Sequence, residues 1–162
     1  MNRLIPMTLV SLLILFAAMQ LVPYRVENPP VLQEPAWDSP ATEQLARRAC
    51  FDCHSNEVRL PWYGKVAPGS WVLRQHVDEG REKLNLSEMN RYQEEAHESG
   101  EEVLEGEMPP LYYVLAHSEA RLTDVEKQAL ARGLDATLGG QGRASRGEGH
   151  GNRDSDSDSD SD

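Results

Sequence analysis

Cys50-Phe51-Asp52-Cys53-His54 gathers both cysteines of the chain and one histidine into five residues, so any fold built around this segment must bring two thiols and an imidazole to one place. The order C-x-x-C-H is that of covalent haem attachment: each thiol adds across one vinyl group, and the next imidazole turns back to ligate the iron. Other chemistries fit less well. A zinc site needs a fourth ligand and usually a second cysteine pair, and no further cysteine exists. A thioredoxin-like pair opens a helix after a strand, and no alternating β pattern precedes Cys50. A plain structural disulfide would leave His54 without a role. The expected cofactor is one haem c per chain, bound through Cys50 and Cys53, with His54 as an iron ligand.

Such attachment takes place outside the cytoplasm, and the N-terminus bears on this. Leu4 to Val22 carries no charge over 19 residues; as a helix it would measure about 28 Å, near the thickness of a bilayer core. One transmembrane helix is expected within residues 1–25. A cleavable signal sequence is the alternative, although no small-x-small pair follows the apolar run. Arg3 ahead of the run and acidic chain after Glu27 predict an N-terminus in the cytoplasm and the remainder in the periplasm, on the inner membrane. Residues 26–40 hold Pro29, Pro30, Pro35 and Pro40 and read as a stiff spacer. Residues 139–162 end in an Asp-Ser alternation that cannot bury anything, and are expected to be disordered and acidic.

Between them, residues 41–138 are the expected haem domain, a small all-α, cytochrome c-like unit for which a buried prosthetic group supplies core. Ser39 and Pro40 suit an N-cap and first helical residue, with the helix carrying the pentad at its end. Ser70 would cap a second helix ending at Gly80, Ser87 to Glu105 reads as a third helical stretch broken near Gly100, and Thr123 with Glu126 fits a capping box for a last helix ending at Gly139.

Met108 is the expected sixth iron ligand, 54 residues beyond His54 in Gly106-Glu107-Met108-Pro109-Pro110, where two prolines favour an extended loop that presents the thioether. Soft sulfur favours ferrous iron and raises the potential relative to two histidines. His117 and His76 are the alternatives; His97, among glutamates, reads as solvated. Trp62, Tyr63 and Trp71 follow the pentad closely and are expected to wall the haem, each pairing a flat apolar body with a polar hydrogen. The region of Pro61 or Pro68 is expected to accept the imidazole N–H of His54.

Taken together, Cys50 to Glu57, Pro61-Trp62-Tyr63, Ala67-Pro68, Ser70-Trp71, His76-Val77, Glu79-Gly80-Arg81, Leu84-Asn85, Gly106 to Pro110, Tyr113, His117 and Arg121-Leu122 resemble the bacterial haem-binding domain family over roughly Pro29 to Leu138. Those relatives are small, usually membrane-anchored proteins with one C-x-x-C-H, so the resemblance implies haem binding. Leu86 and Met89 stand where the family pattern carries aromatic residues. The expected function is that of a membrane-tethered electron carrier that meets a further redox protein. The alternative is a haem-based ligand sensor or an accessory haem subunit of a redox enzyme. No nucleophile-base constellation and no second haem motif is present, so the chain is not expected to be an enzyme. A formal charge of -11 offers nothing to nucleic acid. Eight glutamates from Glu88 to Glu107 read either as a solvated helix face or as an acidic docking face for a basic partner.

Overall fold

The computed structural model describes residues 4–140; the Asp-Ser tail lies outside them. Among the described residues seven α-helices follow in chain order: α1 (Leu4–Met19), α2 (Pro40–Ala49), α3 (Phe51–His54), α4 (Gly69–Lys83), α5 (Ser99–Glu105), α6 (Leu111–Ala116) and α7 (Asp124–Leu138), with 3-10 turns at Trp62–Lys65, Ala96–Glu98 and Ser118–Ala120. The described residues contain no strand, only one isolated bridge between Gln33 and Glu88.

The first helix is shorter than the 19 residues expected. Its 16 residues measure about 24 Å, and among the described residues no helix is long and apolar enough to cross a membrane. Pro23 explains the stop: it disfavours helical backbone at Val22, and Gln20, Leu21 and Val22 close with N–H bonds to the carbonyls three residues back. Exposed Ile5, Met7, Leu9, Leu12, Leu13 and Ile14 leave α1 apolar on every side.

Two helix starts follow local chemistry. Ser39 accepts from the Thr42 N–H with Pro40 as first helical residue, and the Thr123 hydroxyl and Glu126 side chain form a reciprocal capping box, satisfying backbone donors that a helix start leaves open. Leu130, Leu134 and Leu138 recur at four-residue spacing on α7 and meet Ala46, Ala49, Phe51, Leu84, Leu86, Met89, Val103 and Leu122 in the core.

Other boundaries differ from expectation. The first helix of the domain breaks at Cys50, so the pentad occupies the joint and the separate turn α3. The second helix begins at Gly69 and runs through Gly80 to Lys83. Residues 87–95 are turns instead of helix. Here side chains outcompete the helical ladder: Asn85 Oδ1 accepts from Ser87 N–H, Gln93 Oε1 from Asn85 N–H, and Gln93 Nε2 donates to the Glu88 carbonyl. Gly100 lies inside α5 and does not break it. A Cβ there would stand 2.3 Å from Asp135 Oδ1 and 2.9 Å from the Ala131 carbonyl, so its bare backbone permits the close crossing of α5 and α7.

The Pro-rich segment is extended but lies along the domain instead of holding clear of it. Asn28 exchanges hydrogen bonds with the Val58 backbone, Pro30 accepts from Asn56, and Gln33 and Met89 join through main chain. Arg81 Nη1 donates to the Glu27 carbonyl. The segment is a strap over the exit of the pentad.

Candidate functional site

The break at Cys50 turns the pentad so that Cys50, Cys53 and His54 line one cavity of about 180 Å³, with Leu84, Leu86, Val103, Met108, Pro109, Pro110, Tyr112, Tyr113, His76 and Gly80 among its other walls. His54 is fixed within it. Its Nδ1 lies 3.0 Å from the carbonyl oxygen of Leu84; a carbonyl only accepts, so Nδ1 carries the proton and Nε2 keeps its lone pair. Burial lowers the imidazole pKa, against the Leu84 and Gly80 carbonyls that raise it, so the ring stays neutral, the state a metal ligand requires. The acceptor expected near Pro61 or Pro68 is therefore supplied by Leu84. Its backbone is extended just past the end of α4, where a helix leaves carbonyls without intrahelical partners. That end effect is the signal in the sequence that would have pointed to it.

Gly80 sets how closely α4 approaches. A Cβ at this position would meet the Cys53 carbonyl oxygen at 2.8 Å, its carbon at 3.2 Å and the Cys53 Cβ at 3.3 Å. Behind the pentad, Leu86 N–H donates to the His54 carbonyl at 2.7 Å, and buried Asn56, Asn85 and Ser87 form a satisfied network. Burial and the neighbouring Cys53 push the Cys50 thiol up to about 12, and burial with the Asp52 charge pushes Cys53 up to about 11. Both stay protonated at neutral pH, unlike the depressed thiols of redox-active pairs. No disulfide joins them.

Met108 lines the same cavity from the loop that follows α5. Gly106 closes α5 at φ 83°, a left-handed turn that glycine takes without strain, and Met108 N–H returns to the Glu102 carbonyl. The half-buried side chain packs against the core. His76 also lines this cavity, with its ring 5.4 Å from that of Tyr112. His117 does not: its Nε2 lies 3.2 Å from the Tyr63 hydroxyl and its ring stacks on Tyr113 at 4.3 Å, in a neighbouring cavity of about 320 Å³ that shares Cys53, His76, Pro110, Tyr112 and Tyr113 with the first. His97 pairs with the Glu94 carbonyl on the surface.

The aromatic wall is only partly the expected one. Tyr63 lines the neighbouring cavity, whereas Trp62 is 78% exposed and Trp71 faces Val22 and Tyr24. Tyr112 and Tyr113 take their place at the His54 cavity, because α6 follows the Met108 loop directly. Tyr113 also donates to Asp52 Oδ2 at 2.7 Å, tying α6 to the middle of the pentad.

Two protonated thiols, a neutral imidazole with one nitrogen held and the other unprotonated, a thioether on the lining of the same cavity and tyrosine walls are a donor set that suits haem. The haem-binding domain family model matches residues 14–136; the chain belongs to that family. No curated protein and no solved structure matches it.

Proposed function

We propose that the protein is a membrane-tethered, monohaem c-type electron carrier, with haem joined to Cys50 and Cys53 and ligated by His54 and Met108. The observation that carries this reading is the shared cavity of His54 and Met108, with the imidazole held through Nδ1 by Leu84. When bound, haem supplies a one-electron ferric/ferrous couple. The chain's own residues orient the imidazole, keep it neutral and exclude water with Leu86, Val103 and the tyrosines. A thioether on a loop held by Gly106, the Glu102 carbonyl and two prolines can stay in place as the iron changes charge. No substrate site is invoked, and the role is that of a carrier meeting a second redox protein instead of a catalyst.

The uncharged α1, exposed on all sides, supports its role as the anchor in the inner membrane, with the N-terminus in the cytoplasm and the haem domain in the periplasm. Its length falls short of a core of about 30 Å, a mismatch that local bilayer thinning accommodates.

Made with a periplasmic haem maturation system, the protein is expected to keep its haem after denaturation and acidic organic extraction. Complete release of haem, or zinc in its place, would overturn the reading. A reporter that works only in the periplasm, fused after Leu138, is expected to be active; activity of a cytoplasm-only reporter at that junction would overturn the topology.

A further inference from the structure

The chain has 27 acidic residues, yet none from Val58 to Val77 and none before Glu27. These two acid-free stretches meet in the structure. Just past α1, the Gln20 side-chain amide clasps the backbone of Ala67 from both sides, Nε2 donating to its carbonyl at 3.2 Å and Oε1 accepting its N–H at 3.0 Å. Arg74 Nη1 donates to the Arg25 carbonyl at 2.7 Å, and its guanidinium stands 5.7 Å from the Tyr24 ring. The end of the apolar helix is thus fastened to the loop that follows the Trp62–Lys65 turn.

Around this junction Leu21, Val22, Tyr24, Trp62, Val66 and Val72 are all exposed, with Lys65 and Arg25 among them. A folded domain rarely presents so many large apolar side chains together unless something covers them. Tryptophan and tyrosine suit the boundary between headgroups and acyl chains, long cations reach the headgroups from there, and Arg25 and Lys65, exposed beside these side chains while Arg74 is paired with Asp78 at the edge, complement an anionic lipid surface.

We propose that the Trp62–Val66 turn, with Leu21–Tyr24 and Val72, is a lipid-interface seat: Trp62 enters the headgroup boundary of an anionic bilayer, and the domain rests on the membrane. The inference rests on the proposed anchoring of α1, because the clasp at Ala67 carries the turn to the level where that helix ends.

The test uses the full-length haem-loaded protein in phosphatidylethanolamine–phosphatidylglycerol vesicles doped with a phospholipid bearing a photoreactive acyl chain, with labelled peptides mapped by mass spectrometry. Labelling is expected in α1 and in the peptide holding Trp62 to Val66, and absent from Glu94 to Glu107. Trp62→Ser should remove most of the label at the turn and keep that of α1. Replacing phosphatidylglycerol by phosphatidylcholine should weaken labelling of the turn about fivefold, the equivalent of about 1 kcal/mol for one cation at an anionic surface. Label in α1 with none at the turn overturns the seat and leaves the anchor standing; label in neither overturns both. Cross-links joining the turns of two copies in place of lipid label would assign this face to self-association and overturn the seat.

Discussion

Met108→Ala is expected to leave haem attached and to open the iron to carbon monoxide, because the attachment thiols and His54 sit on α3 and its junction with α2, apart from the Met108 loop. The potential should fall by on the order of 0.1 V, within the roughly 0.8 V range that axial ligands command. Met108→Leu separates ligation from packing: it keeps the volume, costs less than about 1.5 kcal/mol in stability, and should still abolish the wild-type reduced spectrum. His117→Ala should do neither, since His117 is engaged by Tyr63 and Tyr113 away from this cavity. Unchanged spectra in both Met108 variants, with high-spin iron in His76→Ala, would give the sixth position to His76 and make the carrier a low-potential one. Ready binding of carbon monoxide by the wild-type protein would favour the ligand sensor over the carrier.

Gly80→Ala is expected to damage the site from behind. Alanine ordinarily favours a helix over glycine by about 1 kcal/mol, so on propensity alone the change should stabilise α4. The new Cβ, however, meets the Cys53 carbonyl at 2.8 Å, and backbone at that distance must move. Overpacking of this kind costs about 1–3 kcal/mol, and the movement separates the pentad from the Leu84 carbonyl that orients His54. Urea unfolding should show a lower midpoint, and the haem-to-protein ratio of the purified variant should fall. A variant with raised stability and full haem content would show that α3 and α4 can separate without consequence.

The contrast between these two positions shows what the sequence makes legible. The caps at Ser39 and Thr123 and the Met108 loop are local patterns whose conformation is decided within a few residues, and the pentad marks its three side chains as one group; each of these can be read directly. Gly80 and Gly100 look like helix punctuation, yet each lies within a helix because another segment comes too close for a side chain; that pressure is tertiary and leaves no local mark. Residues 87–95 carry helix-favouring glutamates, but Asn85 and Gln93 redirect the backbone through side-chain bonds that fall outside the helical spacing. The carbonyl that holds His54 belongs to main chain, which every residue shares, so only its place just past a helix end marks Leu84, and the sequence puts that end at Gly80 instead of Lys83. Aromatic identity likewise does not reveal direction: Trp62 and Trp71 turn away from the cavity while Tyr112 and Tyr113 face it.

One dimension follows from α4. The clasp between Gln20 and Ala67 lies just before its first residue, and the Leu84 carbonyl that grips His54 lies just after its last. Its 15 residues make a strut of about 22 Å, bound at one end to the segment leaving α1 and at the other to the His54 imidazole. For the proposed electron carrier, a flexible leash would let the cavity sweep through space in search of its partner. A strut instead fixes the distance of the cavity from the end of α1, so encounter would fall to that partner, and lengthening α4 by a single turn would move the cavity about 5 Å further from that end.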